Sequence, residues 1–179
     1  MTTKKGFTFI EVALVLAVAG LIFIMVFVAL PALQRSSRDT TRRNDMTEFI
    51  AAVKKYQTNN RGALPGSADK DYPVVVDGYS DSGSINDTSW QGFYNKYLGK
   101  DFTDPLGETY KLNVMQCDAQ TDTKCSDDGQ YTNQINVNYT LLVVIQATCK
   151  GEETIGSSNP RNLAVLYRLE GGGVSCNNT

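Results

Sequence analysis

Histidine is absent from the 179 residues of the chain. Its absence excludes catalytic Ser-His and Cys-His pairs, His-ligated zinc and haem, and an imidazole general base. Basic charge is also scarce, since 17 Lys and Arg stand against 19 Asp and Glu and the pI is about 5.1; this argues against a dedicated nucleic-acid-binding protein. The sequence shows no nucleotide-binding motif and no recognisable set of catalytic carboxylates, Lys, Tyr or Cys. It therefore predicts a protein that is not an enzyme and uses no cofactor.

The apolar residues are concentrated near the N-terminus. A short basic leader, residues 1–6, precedes an apolar run over residues 7–33, in which Thr8 and Glu11 are the polar interruptions. The last 22 residues of this run carry no charge, and as a helix they would extend about 33 Å, enough to cross a bilayer. Because Lys4 and Lys5 precede the run, we expect the N-terminus in the cytoplasm and the bulk of the chain to be exported.

Three interpretations of this run compete. A secretory signal peptide fits poorly, because the run is long, Glu11 lies near its start, and its one A-x-A triplet, residues 17–19, lies in the middle. A plain membrane anchor leaves Glu11 unexplained, since a carboxylate inside a membrane span costs about 2.5–3.5 kcal/mol. Cleavage between Gly6 and Phe7 would create a partner for Glu11, namely the new α-amino group of the same chain or of a neighbouring copy.

The segment from Lys4 to Val12, Lys-Lys-Gly-Phe-Thr-Phe-Ile-Glu-Val, resembles the processing motif of type IV prepilins and pseudopilins. Four elements coincide: a basic leader, the Gly6–Phe7 junction, Glu11 at the fifth mature position and the long apolar run. The resemblance implies cleavage after Gly6 and N-methylation of Phe7 by a membrane aspartyl prepilin peptidase. It also implies that Glu11 meets the Phe7 amine of a neighbouring subunit during filament assembly. The resemblance is strong over the first third of the chain. In the remainder it is limited to the predicted architecture of the head.

Two residues of the run bear on the conformation of such a helix in a filament. Pilin helices often carry a glycine followed by a proline, and the stretch that holds them can melt on assembly. Gly20 lies where the glycine is usual, whereas Pro31 lies about one turn later than is typical. The resemblance therefore leaves the length of a melted stretch open.

Residues 34–60 are predicted to continue the helix as an amphipathic stem. An apolar stripe at helical spacing extends from Met46 to Tyr56, and residues 59–62, Asn-Asn-Arg-Gly, indicate the end of the helix. The stem has a net charge of +3, and the following residues have a net charge of −6. We interpret the basic residues as a solvated face rather than a lipid- or nucleic-acid-binding patch. Pairing with acidic heads of neighbouring copies is a further hypothesis.

Residues 61–179 are predicted to form a globular head with three or four antiparallel strands. Strands are expected over residues 110–114, 135–148 and 162–169, and a turn over residues 104–107. With the stem helix packed on this sheet, the fold class is α+β. A short amphipathic helix whose aromatic residues belong to the core is expected before the first of these strands. Its residues are Trp90, Phe93, Tyr94, Tyr97 and Leu98.

Four cysteines, all in the exported part, indicate two disulfides. Of three possible pairings we favour Cys117–Cys125, which closes a polar loop, and Cys149–Cys176, which ties the C-terminus to the sheet. The second is hard to place in a simple hairpin, but a disulfide that holds a C-terminal loop is frequent in pilins, which supports it by analogy. No metal is expected, because the acidic loops lack EF-hand spacing and are better interpreted as solvated than as calcium ligands. Their acids are Asp77, Asp81, Asp87, Asp118, Asp122, Asp127 and Asp128.

These features predict a structural subunit of a type IV pilus used for adhesion, motility or DNA uptake. Its expected partners are other copies of itself, minor pilins, prepilin peptidase, and an assembly platform with a separate ATPase. We expect a single-pass membrane protein before assembly and a surface filament afterwards. The alternatives are a pseudopilin of a type II secretion or competence system, or a minor pilin with an adhesin head, for which the sequence names no ligand. The sequence also does not indicate whether the protein binds nucleic acid. It disfavours a membrane-tethered enzyme.

Overall fold

The structure is a computed structural model of the chain that describes residues 6–66, 72–81, 86–117, 125 and 139–179. The chain divides into two compact units, Met1–Ser37 and Arg38–Thr179, and the first helix, α1 (Phe9–Asn59), contributes to both. The elements that follow are β1 (Val74–Val76), α2 (Trp90–Phe93), a π-helical turn (Tyr94–Leu98), β2 (Lys111–Gln116), β3 (Thr140–Ile145), β4 (Ala147–Lys150), β5 (Glu153–Gly156), β6 (Leu163–Arg168) and β7 (Val174–Asn178).

In the first unit, α1 presents apolar side chains on all sides. They are exposed along the whole predicted run, for example by 90% at Phe9 and 72% at Met25. Of the residues that the structure describes, α1 is the one helix long and apolar enough to span a membrane, with an 18-residue window of mean hydropathy 3.1 of which nothing is buried. The chain thus has a helix whose length and composition suit a membrane span, as the sequence predicted.

The second unit contains a five-stranded sheet in the order β1-β2-β3-β6-β7. The predicted α+β class is confirmed, but the sheet is mixed. Strands β2 and β3 run parallel, with Lys111 opposite Thr140, whereas the other three pairs are antiparallel. The expectation of a purely antiparallel sheet is therefore wrong, because the connection over residues 117–139 is long enough to return the chain to the same end of the sheet.

The strand predicted over residues 135–148 is interrupted near its end. Strand β3 ends at Ile145, and Gln146 adopts a left-handed conformation with φ of 61°. This residue redirects the chain, so that β4 leaves the main sheet and pairs with β5 as a separate antiparallel hairpin. The predicted antiparallel pairing of the last two strands is confirmed for β3 and β6. Residues 135–138 lie outside the described residues.

One face of the main sheet is covered by residues 46–56 of α1. Met46, Phe49 and Val53 are fully buried and share a core with the inward side chains of β2, β3 and β6. The buried stripe has the helical spacing that the sequence predicted. The aromatic residues of α2 lie in the same core, where Phe49 meets Phe93 edge to face with ring centroids 5.9 Å apart. Their assignment to the core is therefore confirmed.

The opposite face of the sheet carries a second, smaller core and both disulfides. The bonds join Cys117 to Cys125 and Cys149 to Cys176, the pairing that the sequence analysis favoured. The half-cystines pack against apolar side chains of β2, β3 and β6. Because Cys149 belongs to β4, which leaves the main sheet and lies beside β7, the geometric difficulty with the second bond disappears.

Candidate functional site

The predicted processing junction lies just before α1. Gly6 and Phe7 are not helical, and the Phe7 side chain is 85% exposed. A peptide bond in an exposed, non-helical segment is accessible to a peptidase, whereas a bond inside a helix is protected by the hydrogen-bonded backbone. The leader residues before Gly6, including Lys4 and Lys5, lie outside the described residues.

Glu11 has a partner within its own chain. The Thr8 backbone N–H and the Thr8 hydroxyl both donate to Glu11 Oε2, at 3.5 and 3.4 Å, and the Glu11 N–H donates to the Thr8 carbonyl at 3.1 Å. In a capping box the glutamate accepts the threonine N–H and the threonine hydroxyl accepts the glutamate N–H. Only the first of these bonds is present here, because the Glu11 N–H donates to the Thr8 carbonyl and not to its hydroxyl. The Thr-x-x-Glu spacing is the sequence signal of this contact.

Gly20 and Pro31 both lie inside α1, and the structure keeps the helix continuous through them. A Cβ built on Gly20 would meet no other atom of the described residues within 4 Å. Packing inside the subunit therefore gives no reason for a glycine at this position. Pro31 has no N–H to donate to the carbonyl one turn earlier, so each residue weakens the helix without a compensating contact in the subunit.

A buried ion cluster joins the part of α1 that belongs to the second unit to the sheet. Arg42, whose side chain is 2% exposed, donates from Nε and Nη2 to both oxygens of Asp104, at 2.7 and 3.1 Å. Its Nη1 lies 2.8 Å from Glu170 Oε1 and 3.4 Å from Asp39 Oδ1. The guanidinium also lies over the ring of Tyr167, with Cζ 5.4 Å from the centroid. This cluster, which we call the Arg42 anchor, satisfies a buried charge from several sides.

The turn between β6 and β7 forms the rim of the Arg42 anchor. Asp39 accepts the backbone N–H groups of Glu170 and Gly171 at 2.8 and 2.9 Å. Arg38, one helical turn before Arg42, forms a bidentate contact with Glu170, the shortest distance being 2.6 Å. The Glu170 side chain and the backbone of this turn are therefore both held against α1 by hydrogen bonds that involve a charged group, which are stronger than neutral ones.

The electrostatics of the Arg42 anchor favour its charged form. Burial acts to lower the pKa of Arg42, but the hydrogen bonds with Asp104 and Glu170 and the nearby charges outweigh it and raise the pKa above its ordinary value. Burial raises the pKa of Tyr167, which donates to Asp104 at 3.1 Å. The Arg38 hydrogen bond lowers the pKa of Glu170. The shifts of Arg42 and Glu170 both favour the charged forms that pair across the cluster.

The Arg42 anchor corrects the interpretation of the stem as a solvated basic face. Arg42 is buried, and Arg38 is paired with Glu170 of its own chain. The charge pattern could not reveal this, because Asp104 was assigned only to a turn. That turn is present, with Gly107 N–H donating to the Asp104 carbonyl at 2.7 Å, and it aims the carboxylate of Asp104 at the helix.

The acids of the long connection form surface ion pairs in the described residues. Asp77, Asp81 and Asp87 lie 2.9–3.4 Å from lysine side chains of the head. Within the described ranges, no group of three or more Asp, Glu, Cys or His side chains is arranged to hold a metal ion. The other acidic loop lies outside the described residues; its acids are Asp118, Asp122, Asp127 and Asp128.

We expect the head to lose stability in acid through Glu170. Its folded-state pKa lies below the ordinary value of 4.5, so its contribution is present above about pH 4.5 and is lost as the pH falls through the folded pKa. Glu170→Gln should reduce the free energy of unfolding by about 1–2 kcal/mol at pH 7, and the deficit should shrink below pH 4.5. Denaturant titration followed by fluorescence of Trp90, the one tryptophan, measures this. Glu108→Gln, at an exposed position, is the control; an unchanged pH slope in Glu170→Gln would contradict the assignment.

The chain matches no protein-family model, and neither a curated protein nor a solved structure is significantly similar to it.

Proposed function

We propose that this chain is a structural subunit of a type IV pilus or a related filament. The observation that carries the proposal is the start of α1, where an exposed Gly6–Phe7 junction precedes an apolar helix that bears Glu11 in its first turn. An apolar surface of this length requires a bilayer or other apolar helices around it. A filament built from packed copies of α1 would provide the second environment once the subunit leaves the membrane.

The role proposed for Glu11 is an exchange of partners. In the single chain its carboxylate caps the helix through Thr8. In the proposed filament it would also pair with the methylated Phe7 amine of a neighbouring copy, where few water molecules screen the charges. Because an ammonium is a stronger partner than a hydroxyl, this exchange would favour assembly and set the register between copies.

The head supports a structural role. Arg42, Tyr167 and Glu170, three of its polar side chains with shifted pKa values, lie in the Arg42 anchor, where hydrogen bonds and ion pairs hold α1 on the sheet. A subunit that transmits force along a filament needs such a link between its helix and its exposed domain. Turnover of a substrate is not part of the proposal.

The decisive experiment is mass spectrometry of the N-terminus of the mature protein isolated from its own cell. The proposal predicts a chain that begins at N-methylated Phe7. A chain that begins at Met1 would indicate an ordinary anchor, and one that begins near Gly20 a secreted protein; either result would contradict the proposal. Electron microscopy and protein analysis of sheared surface material then separate the candidates. Long fibres in which this chain is abundant indicate a major pilin, and fibres in which it is scarce indicate a minor one. Loss of secretion without fibres would indicate a pseudopilin.

A further inference from the structure

An open groove of about 550 Å³ lies at the end of α1, against the loop that precedes β6. Its lining includes three cations, Lys54 and Arg61 from the helix end and Arg161 from the loop. Polar side chains complete the surface, among them Asn159 and Thr179. We refer to this feature as the basic groove.

The backbone at the helix end brings these cations together. Gly62 N–H donates to the Gln57 carbonyl at 2.7 Å, and Arg61 adopts a left-handed φ of 56° at the position where such helix endings usually place glycine. Gln57 Nε2 donates to the Arg161 carbonyl at 2.9 Å and so holds the loop to the helix. The Arg161 guanidinium packs against Gly62, where an added Cβ would lie 2.8 Å from Nη1. The positions of Arg61 and Arg161 are therefore fixed by the backbone of the helix end and of the loop.

The cations of the basic groove have no acidic partner among the described residues, a property they share with Arg43, Lys55 and Lys150; what distinguishes them is that they line one groove. Five cations of the second unit, Arg38, Arg42, Lys96, Lys100 and Lys111, each lie within 4 Å of a carboxylate. Among the described residues, no such pair includes Lys54, Arg61 or Arg161, and no Asp or Glu side chain lines the groove. The side chains that line the groove carry a charge of +3, whereas residues 61–179, which include Arg61 and Arg161 but not Lys54, have a net charge of −6.

The chemistry of these groups favours phosphate oxygens. The planar guanidinium groups of Arg61 and Arg161 match the geometry of phosphate, and Lys54 adds a point charge. The groove is open to solvent rather than closed around a single ion. No aromatic side chain lines it in the described part of the chain, so it offers no platform on which bases would stack. We propose that the basic groove binds the phosphodiester backbone of an anionic polymer, without reading bases.

Binding can be measured by fluorescence anisotropy with the full chain in detergent micelles and a labelled mixed-sequence single-stranded DNA at low salt. The variant Lys54→Gln/Arg61→Asn/Arg161→Gln should weaken binding at least about tenfold and reduce the slope of log K against log salt by about 2–3. The matched control, Lys96→Gln/Lys100→Gln/Lys111→Gln, removes the same charge elsewhere on the head and should bind like the wild type. Asn at position 61 tolerates the left-handed backbone.

Two competitors identify the source of the phosphodiester. Displacement by poly(glycerol phosphate) would show that any such backbone binds, whereas displacement by DNA alone would assign the groove to nucleic acid; both results support the proposal. Absence of binding by the wild type, equal loss in the control variant, or equal displacement by inorganic phosphate at matched phosphate concentration would overturn it. If the triple variant does not fold, Lys54→Gln/Arg161→Gln keeps the helix end intact and is judged by the same criteria. These outcomes do not depend on filament assembly.

Discussion

Replacing Arg42 with methionine is expected to reduce the free energy of unfolding of the head by about 3–5 kcal/mol. The substitution keeps the bulk of the side chain but leaves Asp104, whose side chain is fully buried, without its cation. An unpaired buried carboxylate must be protonated or hydrated, and both processes favour the unfolded state. Denaturant titration of the full chain in micelles, followed through the buried Trp90, reports the change.

Two comparisons separate the Arg42 anchor from a general effect of lost charge. Arg43→Met removes the same charge from the neighbouring exposed position and should change the free energy of unfolding by less than about 0.5 kcal/mol. Adding Asp104→Asn to Arg42→Met should restore part of the loss, because the amide no longer carries an unpaired charge while its oxygen can still accept the Leu106 N–H. Equal stability of Arg42→Met and Arg43→Met would contradict the role assigned to the anchor.

The substitution Glu11→Gln is expected to reduce surface filaments at least about tenfold while leaving processing and membrane insertion intact. Glutamine can serve in a capping box, so the contact with Thr8 is retained. It carries no charge, so the proposed pair with the Phe7 amine of a neighbouring subunit is lost. Removing a carboxylate from the membrane segment also makes insertion more favourable. The measurements are the yield of sheared filaments and the amount of mature subunit in the membrane fraction.

Thr8→Ala provides the complementary variant. It removes the hydroxyl contact with Glu11 but leaves the Glu11 carboxylate and its contact with the backbone N–H of residue 8 in place. Filaments should still form in this variant. If Glu11→Gln assembles normally while Thr8→Ala does not, then capping rather than charge pairing is the role of Glu11, and the proposed exchange of partners is wrong.

The elements that sequence patterns predicted well are those whose signal is local. The apolar stripe from Met46 to Tyr56, the end of α1 before Gly62 and the turn at Asp104 each depend on residues within one or two turns of one another. In each case the physical cause, whether periodicity or a left-handed position, acts over a few residues. The bond between Cys117 and Cys125 closes a loop of similar size, whereas Cys149 and Cys176 are 27 positions apart and their pairing was favoured only by analogy with pilins.

The features that the sequence did not reveal depend on distant partners. The parallel pairing of β2 with β3 is decided by contacts between segments far apart in the chain, and alternation of side chains is the same for both strand directions. Gln146 lies in an apolar stretch that reads as a single strand, so its left-handed backbone was not apparent. Arg42 looked like a surface residue, because its burial requires Asp104 and Glu170, which follow much later in the chain.

The contacts that Asp39 makes with the β6–β7 turn have a consequence for biogenesis. They join residues 131 and 132 positions apart, so the second unit is closed between its helix and the turn that joins β6 to β7. In the proposed export from an N-terminal membrane anchor, this closure could not form until that turn had crossed the membrane. Until then α1 would lack its carboxylate partner at Glu170 and β3 its neighbour β6, and the emerging polypeptide would be exposed to proteases and to aggregation. Emergence of this turn, rather than formation of the helix, would then set the moment at which the fold is complete.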